Sequence, residues 1–549
     1  MIYPKIPLAQ SIIEICKAKG IQHIIISPGS RNAPLTIGFT NNSFFTCYSI
    51  ADERCAAFFA MGIAQQIKEP VAVVCTSGSA VLNYYPAVAE AFYSQIPLVI
   101  LSADRPQNKI DIGDGQTIRQ ENVFANHILF SANLSELASN ENDNLINLAI
   151  NSAVENRGPV HINIPFEEPL YDTVESLEVH PEIIPMNQLS NEFTLEENFI
   201  SQWNQAKKKL ILVGELFPNT LEKEIIQKLG EDESIVVVTE ATSNLHHPNF
   251  ITNIDSLITP FSTEDFKAFQ PEILVTFGGM VVSKRIKAFL RKFQPKNHWH
   301  VDKLRAYDTF GCLTQHFKTH PNLFFNQLLF ENSPSDYQKQ FLAIHNFRKQ
   351  KREIYTHQIP FSDLKVFDFL SKHLPEGCQL QISNSSAIRY LQLFDLKPST
   401  TVFCNRGTSG IDGSTSTAIG ASIVSSTPTI LITGDISFFY DSNALWNNYI
   451  PNNFKIILVN NNGGGIFRIL PGHQETPTFN TFFETSHQLN ASHLAKMYDF
   501  QYFFADSLED IKHNWPAFIT NESQPSILEI VTPEKENNTI LLDFFRKIT

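Results

Sequence analysis

The sequence of 549 residues is poor in cysteine. Its seven cysteines are scattered, odd in number and without a CxxC pair. Disulfide frameworks and zinc sites use closely spaced cysteines, so this set is typical of reduced thiols packed inside a cytosolic protein. We therefore expect a cytoplasmic protein whose cysteines are part of the core.

Long apolar runs, a secretory signal and an excess of positive charge are also missing. No apolar run reaches the roughly 18 residues needed to cross a bilayer, and the first residues lack a basic stretch followed by an apolar core. The sequence contains 42 Lys and Arg residues and 56 Asp and Glu residues, which gives a net charge of −14. This balance disfavours nucleic acid as a partner but is compatible with a local basic pocket for an acidic small molecule. We expect neither a membrane nor a nucleic-acid partner.

Several catalytic and nucleotide-binding motifs are absent as well. No strand is followed by GxGxxG with a downstream acid, and no GxxxxGK loop, HExxH motif or Ser-His-Asp order occurs. These absences argue against a nicotinamide-dependent dehydrogenase, a P-loop nucleotide binder and a hydrolase. The 17 histidines form no metal-ligand spacing.

What the chain does contain is a repeated unit of apolar strand, small-residue turn and helix. This pattern predicts an α/β protein with doubly wound, mainly parallel sheets, and the length suggests about three or four domains. The predicted domains cover residues 1–180, 195–335 and 360–549. A linker rich in Pro, Glu and Asn, at about 165–198, and a polar, aromatic connector, at about 323–363, are expected to join them.

Two strand ends in the third block form the clearest candidate site. One apolar run, Thr429–Thr433, ends at Gly434 and Asp435, and a second run ends at Asn461 and its neighbouring Asn and Gly residues. The spacing of 26 residues leaves room for a crossover helix at about 442–449, so the two ends can be neighbours at the ligand-binding edge of the sheet. A carboxylate, an amide oxygen and a backbone carbonyl are hard ligands that suit Mg²⁺ together with a diphosphate.

The Gly-Asp and Asn-Asn motifs at this spacing resemble the signature of the thiamine diphosphate-dependent enzymes. Further motifs sharpen the resemblance: ISPGSRNAPL at 26–35, DER at 52–54, SADRP at 102–106, SKR at 283–285 and NRGTSGIDG at 405–413. Together they are similar to the menaquinone-pathway synthases that join 2-oxoglutarate to isochorismate, over nearly the whole chain. The resemblance implies a thiamine diphosphate-binding fold in which the three domains are, in chain order, pyrimidine-binding, central and diphosphate-binding.

The resemblance also implies thiamine diphosphate and Mg²⁺, or Mn²⁺, as cofactors. It makes the carboxylate of Asp435, the side chain of Asn461 and the carbonyl of Gly463 the metal ligands. Glu53 is implied to bind the aminopyrimidine ring and to promote the tautomer that removes the thiazolium proton. Without the family, Glu53 is simply an acid in the first turn of a helix. Further implied residues are Gln116, which hydrogen-bonds reacting groups, and Gly413, Ile466 and Phe467, which contact the cofactor.

In the implied reaction, 2-oxoglutarate loses CO₂ and the resulting carbanion equivalent adds in a 1,4 sense to isochorismate. Both substrates are dicarboxylates, and the arginine fork binds carboxylates in a bidentate manner. The implied substrate-binding residues are Ser30, Arg31, Arg105, Lys284, Arg285, Ser385, Arg389 and Arg406. For any one arginine the alternative is an ordinary structural or solvated ion pair.

In relatives, the glutamate and the diphosphate site come from different subunits, so the resemblance implies a homodimer or homotetramer with active sites at the subunit interface. One alternative is another thiamine diphosphate 2-oxoacid decarboxylase or an acetohydroxyacid synthase, although the clustered arginine motifs argue against these. A catalytically inactive scaffolding homologue is a second alternative. Such a homologue should have lost Glu53 or the metal ligands, and this chain keeps them.

Overall fold

The computed structural model describes residues 2–187, 192–328, 330, 334–469 and 474–549. Three larger sheets, of six, five and six strands in chain order, form its framework. Every strand pair described within them is parallel. This architecture confirms the predicted α/β class with mainly parallel sheets.

The N-terminal part is built around the first six-stranded sheet. The strands of the N-terminal part are β1 (Tyr3–Pro4), β2 (His23–Ile26), β3 (Thr46–Ser49), β4 (Val71–Cys75), β5 (Leu98–Asp104), β6 (Ser131–Asn133), β7 (Val160–Pro165) and β8 (Thr173–Val174). Its helices are α1 (Pro7–Ala18), α2 (Ala33–Thr40), α3 (Glu53–Ile67), α4 (Ser79–Asn83), α5 (Tyr85–Ser94) and α6 (Asn140–Glu155). The sheet has the order β3-β2-β4-β5-β7-β6, while β1 pairs separately with β8 in the antiparallel sense. The expected linker therefore includes a strand that returns to the N-terminus.

The central part contains a five-stranded sheet in the order β10-β9-β11-β12-β13. Its strands are β9 (Lys209–Val213), β10 (Ile235–Val238), β11 (Ile273–Phe277), β12 (Asn297–Val301) and β13 (Gln315–Phe317). Its helices are α7 (Glu197–Gln205), α8 (Lys223–Glu231), α9 (Ile254–Ile258), α10 (Thr263–Phe269), α11 (Lys284–Lys292), α12 (Pro321–Phe325) and α13 (Tyr337–Gln358). Helix α13 has 22 residues and occupies much of the stretch that the sequence predicted as a polar, aromatic connector.

The C-terminal part repeats the architecture of the N-terminal part. Its strands are β14 (Gln379–Ile382), β15 (Thr401–Phe403), β16 (Thr429–Gly434), β17 (Lys455–Asn460), β18 (Gln501–Ala505) and β19 (Ser526–Val531). Its helices are α14 (Asp363–His373), α15 (Ser386–Leu391), α16 (Ser414–Val424), α17 (Asp435–Tyr440), α18 (Pro477–Phe479), α19 (Ser492–Met497), α20 (Leu508–Thr520) and α21 (Asn537–Lys547). The order β15-β14-β16-β17-β19-β18 places its strands as in the first sheet, counted along the chain.

The central strands are buried at nearly every position because helices cover both faces of each sheet. Helices α3 and α16 pack directly on each other and join the N-terminal and C-terminal parts through one hydrophobic core. A Cβ atom on Gly62 would lie 2.1 Å from the Thr417 carbonyl oxygen, and one on Gly420 would lie 2.0 Å from the Phe59 carbonyl oxygen. Only glycine allows the two helix backbones to approach this closely.

The predicted crossover helix at 442–449 is wrong in position. Helix α17 begins at Asp435, directly after β16, and residues Ser442–Leu445 form a short 3-10 helix instead. An acidic residue at the start of a helix is favoured by the helix dipole, whereas the Asp and Asn residues between 441 and 448 favour turns. Within the described ranges, no helix is both long and apolar enough to cross a membrane.

Candidate active site

Six of the predicted site residues line one cavity of about 370 Å³ in the C-terminal part. Strands β16 and β17 are adjacent and parallel, so their carboxyl ends meet at the rim of this cavity. The predicted residues in its lining are Ser385, Asp435, Asn461, Gly463, Ile466 and Phe467. The cavity therefore unites the three proposed metal ligands with the proposed apolar cofactor contacts.

Asp435 and Asn461 are held in fixed orientations at this rim. Asp435 is buried, and its Oδ1 and Oδ2 accept hydrogen bonds from the backbone N–H of Ile436 (2.7 Å) and of Gly463 (2.9 Å). Asn461 Nδ2 donates to Asp363 Oδ2 at 2.9 Å. Asn461 Oδ1 is buried and has no hydrogen-bond partner among the described residues. A buried amide oxygen without a donor is costly unless a ligand completes it, so this atom fits a cation.

The glycine loop after β17 leaves no room for side chains. Gly463 has φ +153°, and a Cβ atom there would lie 2.9 Å from the Glu484 carbonyl oxygen. His487 Nε2 lies 3.4 Å from Asp435 Oδ2 on the same side. In the part of the chain that the structure describes, no group of three His, Cys, Asp or Glu side chains could hold a metal ion. A cation at this rim would therefore depend on amide, carbonyl and ligand oxygens in addition to Asp435.

Asp363 supports the rim from the first position of α14. Burial raises the pKa of its carboxyl group to about 6, and hydrogen bonds from Thr532 and Asn461 act in the opposite direction. The nearby charge of Asp435 raises that pKa further. Two carboxylates so close together would be stabilised by a divalent cation, because its charge offsets their repulsion.

Glu53 lies at a different place, on the carboxyl edge of the N-terminal sheet. It is the first residue of α3, and Asp52 caps this helix by accepting from the Cys55 N–H. Glu53 Oε2 accepts from Asn83 Nδ2 at 3.2 Å. Both residues line an open cavity of about 620 Å³. The residues described as lining this cavity and the C-terminal cavity are entirely different, so one chain keeps Glu53 apart from the metal ligands.

Four further predicted residues lie on the loops that follow β2 and β5, at the carboxyl edge of the same sheet as Glu53. Arg105 Nε donates to the Gly115 carbonyl at 3.1 Å, next to Gln116, which is exposed and has φ +56°. Arg31 is buried and donates from Nη1 to the Phe166 carbonyl at 2.9 Å. It also pairs with Glu168 at 3.2 Å. Ser30 is exposed beside Arg31. These residues therefore include one buried, hydrogen-bonded arginine, Arg31, and the exposed polar side chains of Ser30 and Gln116.

The remaining predicted cations lie at the junction of the central and C-terminal parts. Arg406 is buried, its Nη1 donates to Asn384 Oδ1 at 2.5 Å, and its Nε has no partner among the described residues. Arg389 donates to the Ser385 carbonyl at 2.5 Å, and burial together with the charge of Arg406 lowers its pKa. Asn384 and Ser385 line the C-terminal cavity, so each of these two arginines donates a hydrogen bond to a residue of the cavity wall.

Lys284 and Arg285 begin α11 beside these arginines. Lys284 is exposed. The Arg285 guanidinium lies over the Phe545 ring, 4.5 Å from its centroid. Burial lowers the pKa of Arg285, while the charge of Asp255 raises it. Gly413, in contrast, is the N-cap of α16 with φ +77°, and a Cβ atom there would lie 2.2 Å from the Phe58 ring. Gly413 does not line the C-terminal cavity as described, and its observed contact is with α3.

Sequence reasoning missed three residues that organise the site. Asn384 is at the end of β14, where a search of every strand end would have found it. Glu240 lies two residues after β10, as Asn384 does after β14, so the same search would have found it. Asp363 has no such signal, because it meets the site only through tertiary contacts. The Glu240 carboxylate accepts from the backbone N–H groups of Val282 (2.6 Å) and Ser283 (2.7 Å), just before α11. It therefore fixes the loop that presents Lys284 and Arg285.

Three family descriptions match the chain. They are "Thiamine pyrophosphate enzyme, N-terminal TPP binding domain" over residues 6–127, "Middle domain of thiamine pyrophosphate" over 183–382 and "Thiamine pyrophosphate enzyme, C-terminal TPP binding domain" over 384–530. The order of these matches follows the order of the three larger sheets.

Curated relatives match over the full length of the chain. A protein of Flavobacterium psychrophilum is 64% identical over 551 residues, which covers 100% of both chains. A protein of Christiangramia forsetii is 52% identical with 99% of both chains covered, and one of Phocaeicola vulgatus is 37% identical with 97% of both covered. All three are named 2-succinyl-5-enolpyruvyl-6-hydroxy-3-cyclohexene-1-carboxylate synthase. The chain therefore belongs to the 2-succinyl-5-enolpyruvyl-6-hydroxy-3-cyclohexene-1-carboxylate synthase family of thiamine diphosphate-dependent enzymes.

Proposed function

We propose that this protein catalyses the thiamine diphosphate- and Mg²⁺-dependent decarboxylation of 2-oxoglutarate and the 1,4-addition of the remaining four-carbon unit to isochorismate. The products are 2-succinyl-5-enolpyruvyl-6-hydroxy-3-cyclohexene-1-carboxylate and CO₂, in menaquinone biosynthesis. The observation that carries the proposal is the cavity with the unpaired Asn461 oxygen, in a chain 64% identical over its full length to a synthase of that name.

Asp435, Asn461 and Gly463 hold the metal ion, either Mg²⁺ or Mn²⁺, which in turn neutralises the cofactor diphosphate. Support comes from the shared cavity, the fixed Asp435 carboxylate and the unpaired Asn461 oxygen. Ile466 and Phe467 line the same cavity and supply an apolar wall that keeps water from the cofactor. Gly413 acts indirectly, by letting α16 approach α3.

When bound, thiamine diphosphate supplies the electron sink that allows a 2-oxo acid to lose CO₂. Glu53 binds its aminopyrimidine and promotes proton removal at the thiazolium carbon. The half-buried Glu53 side chain lines an open cavity, which supports this role because a ligand can reach it there. Gln116 hydrogen-bonds reacting groups from the neighbouring loop.

Two groups of cationic and hydroxyl side chains bind the substrate carboxylates. The N-terminal group is Ser30, Arg31 and Arg105, and the second group is Lys284, Arg285, Ser385, Arg389 and Arg406. The second group is the more persuasive, because Arg389 and Arg406 contact residues that line the C-terminal cavity and Arg406 keeps an unpaired Nε. Buried guanidinium groups of this kind favour anionic ligands, since the ligand completes their hydrogen bonds.

The protein acts as a homodimer or homotetramer with its active sites between subunits. Glu53 and the metal ligands lie in separate cavities of one chain, so a second copy is the simplest way to bring them together. The Glu53 cavity is rimmed by Tyr440 and Trp446, which are 56% and 58% exposed, as expected of a surface that another copy covers. Sedimentation of the purified protein with and without cofactor tests this assembly.

The domain limits follow the sheets. Residues 1–180 form the pyrimidine-binding domain, 195–335 the central domain and 360–549 the diphosphate-binding domain. Supporting this division, the three larger sheets span residues 23–165, 209–317 and 379–531, each inside one proposed domain.

Incubation of the purified protein with thiamine diphosphate, Mg²⁺, 2-oxoglutarate and isochorismate tests the proposed reaction. Mass spectrometry should detect the adduct, and its formation should stop when either substrate or the metal is withheld. Release of CO₂ without the adduct would instead identify a simple 2-oxoacid decarboxylase. Formation of neither product would overturn the proposed function.

A further inference from the structure

Both chain neighbours of Glu53 are bonded to the segment that follows α17. Arg54 Nη2 donates to the Tyr440 carbonyl at 3.1 Å, and its guanidinium lies over the Tyr440 ring, 4.8 Å from the centroid. On the other side of Glu53, Asp52 Oδ2 accepts from Asn443 Nδ2 at 2.8 Å. The start of α3 is thus attached on two sides to residues 440–443, almost 400 positions further along the chain.

Asp441 is the centre of this attachment. Its side chain is fully buried, and Oδ1 lies 3.4 Å from Arg54 Nη2. Ser416 at the start of α16 donates to it twice, from the backbone N–H (2.7 Å) and from Oγ (2.9 Å). The Cys55 thiol approaches the same Oδ1 at 3.7 Å. The Asp441 carboxylate therefore joins the beginnings of α3 and α16 to the end of α17.

The Glu53 side chain itself is weakly restrained. The one hydrogen bond described for its side chain is the 3.2 Å contact from Asn83, and the carboxylate faces an open cavity. Its position must therefore come from the backbone of the first turn of α3. That turn is fixed by the Asp52 cap and by the contacts of Arg54.

We propose that Asp441 is a positioning residue for Glu53, acting through Arg54, with Asn443 as a second attachment through Asp52. This inference rests on the proposed function, in which the Glu53 carboxylate promotes proton removal from bound thiamine diphosphate. Proton transfer is sensitive to placement, and a displacement of about 1 Å can cost about 100-fold in rate. A clamp on both neighbours of Glu53 limits such displacement, and its central residue, Asp441, is fully buried and does not line the Glu53 cavity as described.

The chain offers a matched control for Asp441. The Arg352 guanidinium lies over the Phe394 ring, 5.5 Å from its centroid, and pairs with Asp395 at 2.9 Å. The same three residue types, an aromatic residue followed by an aspartate and a contacting arginine, occur in Tyr440, Asp441 and Arg54. Asp395 also accepts from Thr252 Oγ1 at 2.6 Å and pairs with Lys349 at 3.0 Å, and none of the contacts described for it involves a proposed site residue. Asp395→Asn removes a comparable ion pair at a distance from Glu53.

The test compares the parent protein with Asp441→Asn and Asp395→Asn. For Asp441→Asn we expect kcat to fall about 10-fold to 100-fold, with the KM of both substrates and the calorimetric Kd of thiamine diphosphate–Mg²⁺ within about threefold of the parent values. Deuterium exchange at the thiazolium carbon of the bound cofactor should slow by the same factor as kcat. Asp395→Asn should lower the melting temperature and leave both rates unchanged.

A measurement on the protein without cofactor gives a second readout. Amide exchange followed by mass spectrometry should be at least about threefold faster for the peptide covering residues 52–59 in Asp441→Asn, because the first turn of α3 loses its attachment. Asn443→Ala, which removes the contact to Asp52 at the rim of the Glu53 cavity and leaves the buried Asp441 in place, should show the same changes to a smaller extent. This variant keeps the test decisive if Asp441→Asn does not fold.

The outcomes separate the inference from the proposed function. If the parent protein makes the adduct and both Asp441→Asn and Asn443→Ala keep the parent rate of thiazolium exchange, Asp441 is structural and the inference is wrong. Equal effects of Asp441→Asn and Asp395→Asn on that exchange would also overturn it. If the parent protein makes no adduct but the peptide at 52–59 is loosened, the proposed function fails while the clamp remains.

Discussion

The N-terminal and C-terminal sheets have the same strand order and different residues at their carboxyl edges. In each sheet the strands follow the order 2-1-3-4-6-5 along the chain, and α3 and α16 occupy corresponding positions after the second strand. The N-terminal edge carries a carboxylate and cations, represented by Glu53, Arg31 and Arg105. The C-terminal edge carries oxygen ligands and glycines, represented by Asp435 and Asn461.

The difference is confined to the turns that follow the strands. The strands themselves are apolar and interchangeable in character, whereas the turn after β16 begins a helix with an acid and the turn after β17 is rich in glycine. One scaffold thus presents two different sets of strand-end residues, which are the two half-sites of the proposed active site. This division is typical of α/β folds, in which the framework is general and the strand ends determine what is bound.

The largest expected effect belongs to the C-terminal half-site. Asp435→Ala removes the one carboxylate among the proposed metal ligands, so calorimetry should find metal-dependent cofactor binding weakened at least about 100-fold, or about 2.7 kcal/mol. No adduct should form. Asp506→Ala, which changes an exposed aspartate after β18 of the same sheet, is the control and should bind as the parent does. Parent-like affinity in Asp435→Ala would show that the metal is held elsewhere.

A change in the N-terminal half-site should affect rate instead of cofactor binding. Glu53→Gln keeps the size of the side chain but weakens its acid–base function, so we expect kcat to fall by about 10²–10⁴ while the cofactor Kd changes by less than about threefold. Steady-state kinetics and calorimetry measure the two quantities. Glu69→Gln, an exposed position just beyond the other end of α3, should leave both unchanged. Unchanged turnover in Glu53→Gln would remove the proposed difference between the half-sites.

Arg406 tests whether the cations behind the C-terminal cavity bind substrate. Hydrogen bonds to charged groups contribute about 1.5–3 kcal/mol, so Arg406→Ala should lower kcat/KM for at least one substrate by about 10-fold to 100-fold. Varying each substrate in turn identifies which one is affected. Arg546→Ala, at a side chain that is 76% exposed, is the control. Equal kcat/KM values for both substrates in the variant and the parent would assign Arg406 to structure alone.

The smallest expected effect concerns the contact between the two halves. Gly420→Ala places a Cβ atom 2.0 Å from the Phe59 carbonyl oxygen, so α3 and α16 must separate. Overpacking of this kind costs about 1–3 kcal/mol, which calorimetric unfolding should report as a melting temperature lower by a few degrees. Gly115→Ala, with no heavy atom within 4 Å of the added Cβ, is the control. An unchanged melting temperature in Gly420→Ala would show that α3 and α16 can accommodate an added methyl group without loss of stability.

The sequence predicted the central strands well and several edge strands not at all. Continuous apolar runs predict strands at 71–75, 98–102, 429–433 and 455–459, and β4, β5, β16 and β17 match these ranges within two residues. Such runs are expected when helices cover both faces of a sheet. The strands β6, β13, β15 and β18 went unpredicted, and each is the outermost strand of its sheet. Edge strands are short and partly exposed, as in β18, so their sequences carry no continuous apolar signal.

By itself, the sequence determined the fold class, the residue types at the strand ends and, through its motifs, the family. These features are local: an apolar run followed by an acid, an amide or a glycine turn is visible within ten residues. The tertiary structure decided which of these ends meet. It placed Asp435 and Asn461 in one cavity and Glu53 in another. It also fixed the orientation of the Asn461 amide through a hydrogen bond to Asp363, 98 residues away.

The contacts that join Asp52 and Arg54, the chain neighbours of Glu53, to residues 440–443 also arose only in three dimensions. Arg54 and Tyr440 are 386 residues apart, and nothing in either local sequence indicates that they touch. Such contacts depend on how α3 packs on α16, which is set by the small size of Gly62 and Gly420 at their crossing. The physical reason is that strand-end chemistry is encoded locally, whereas the placement of a side chain depends on packing between elements that are distant in the chain.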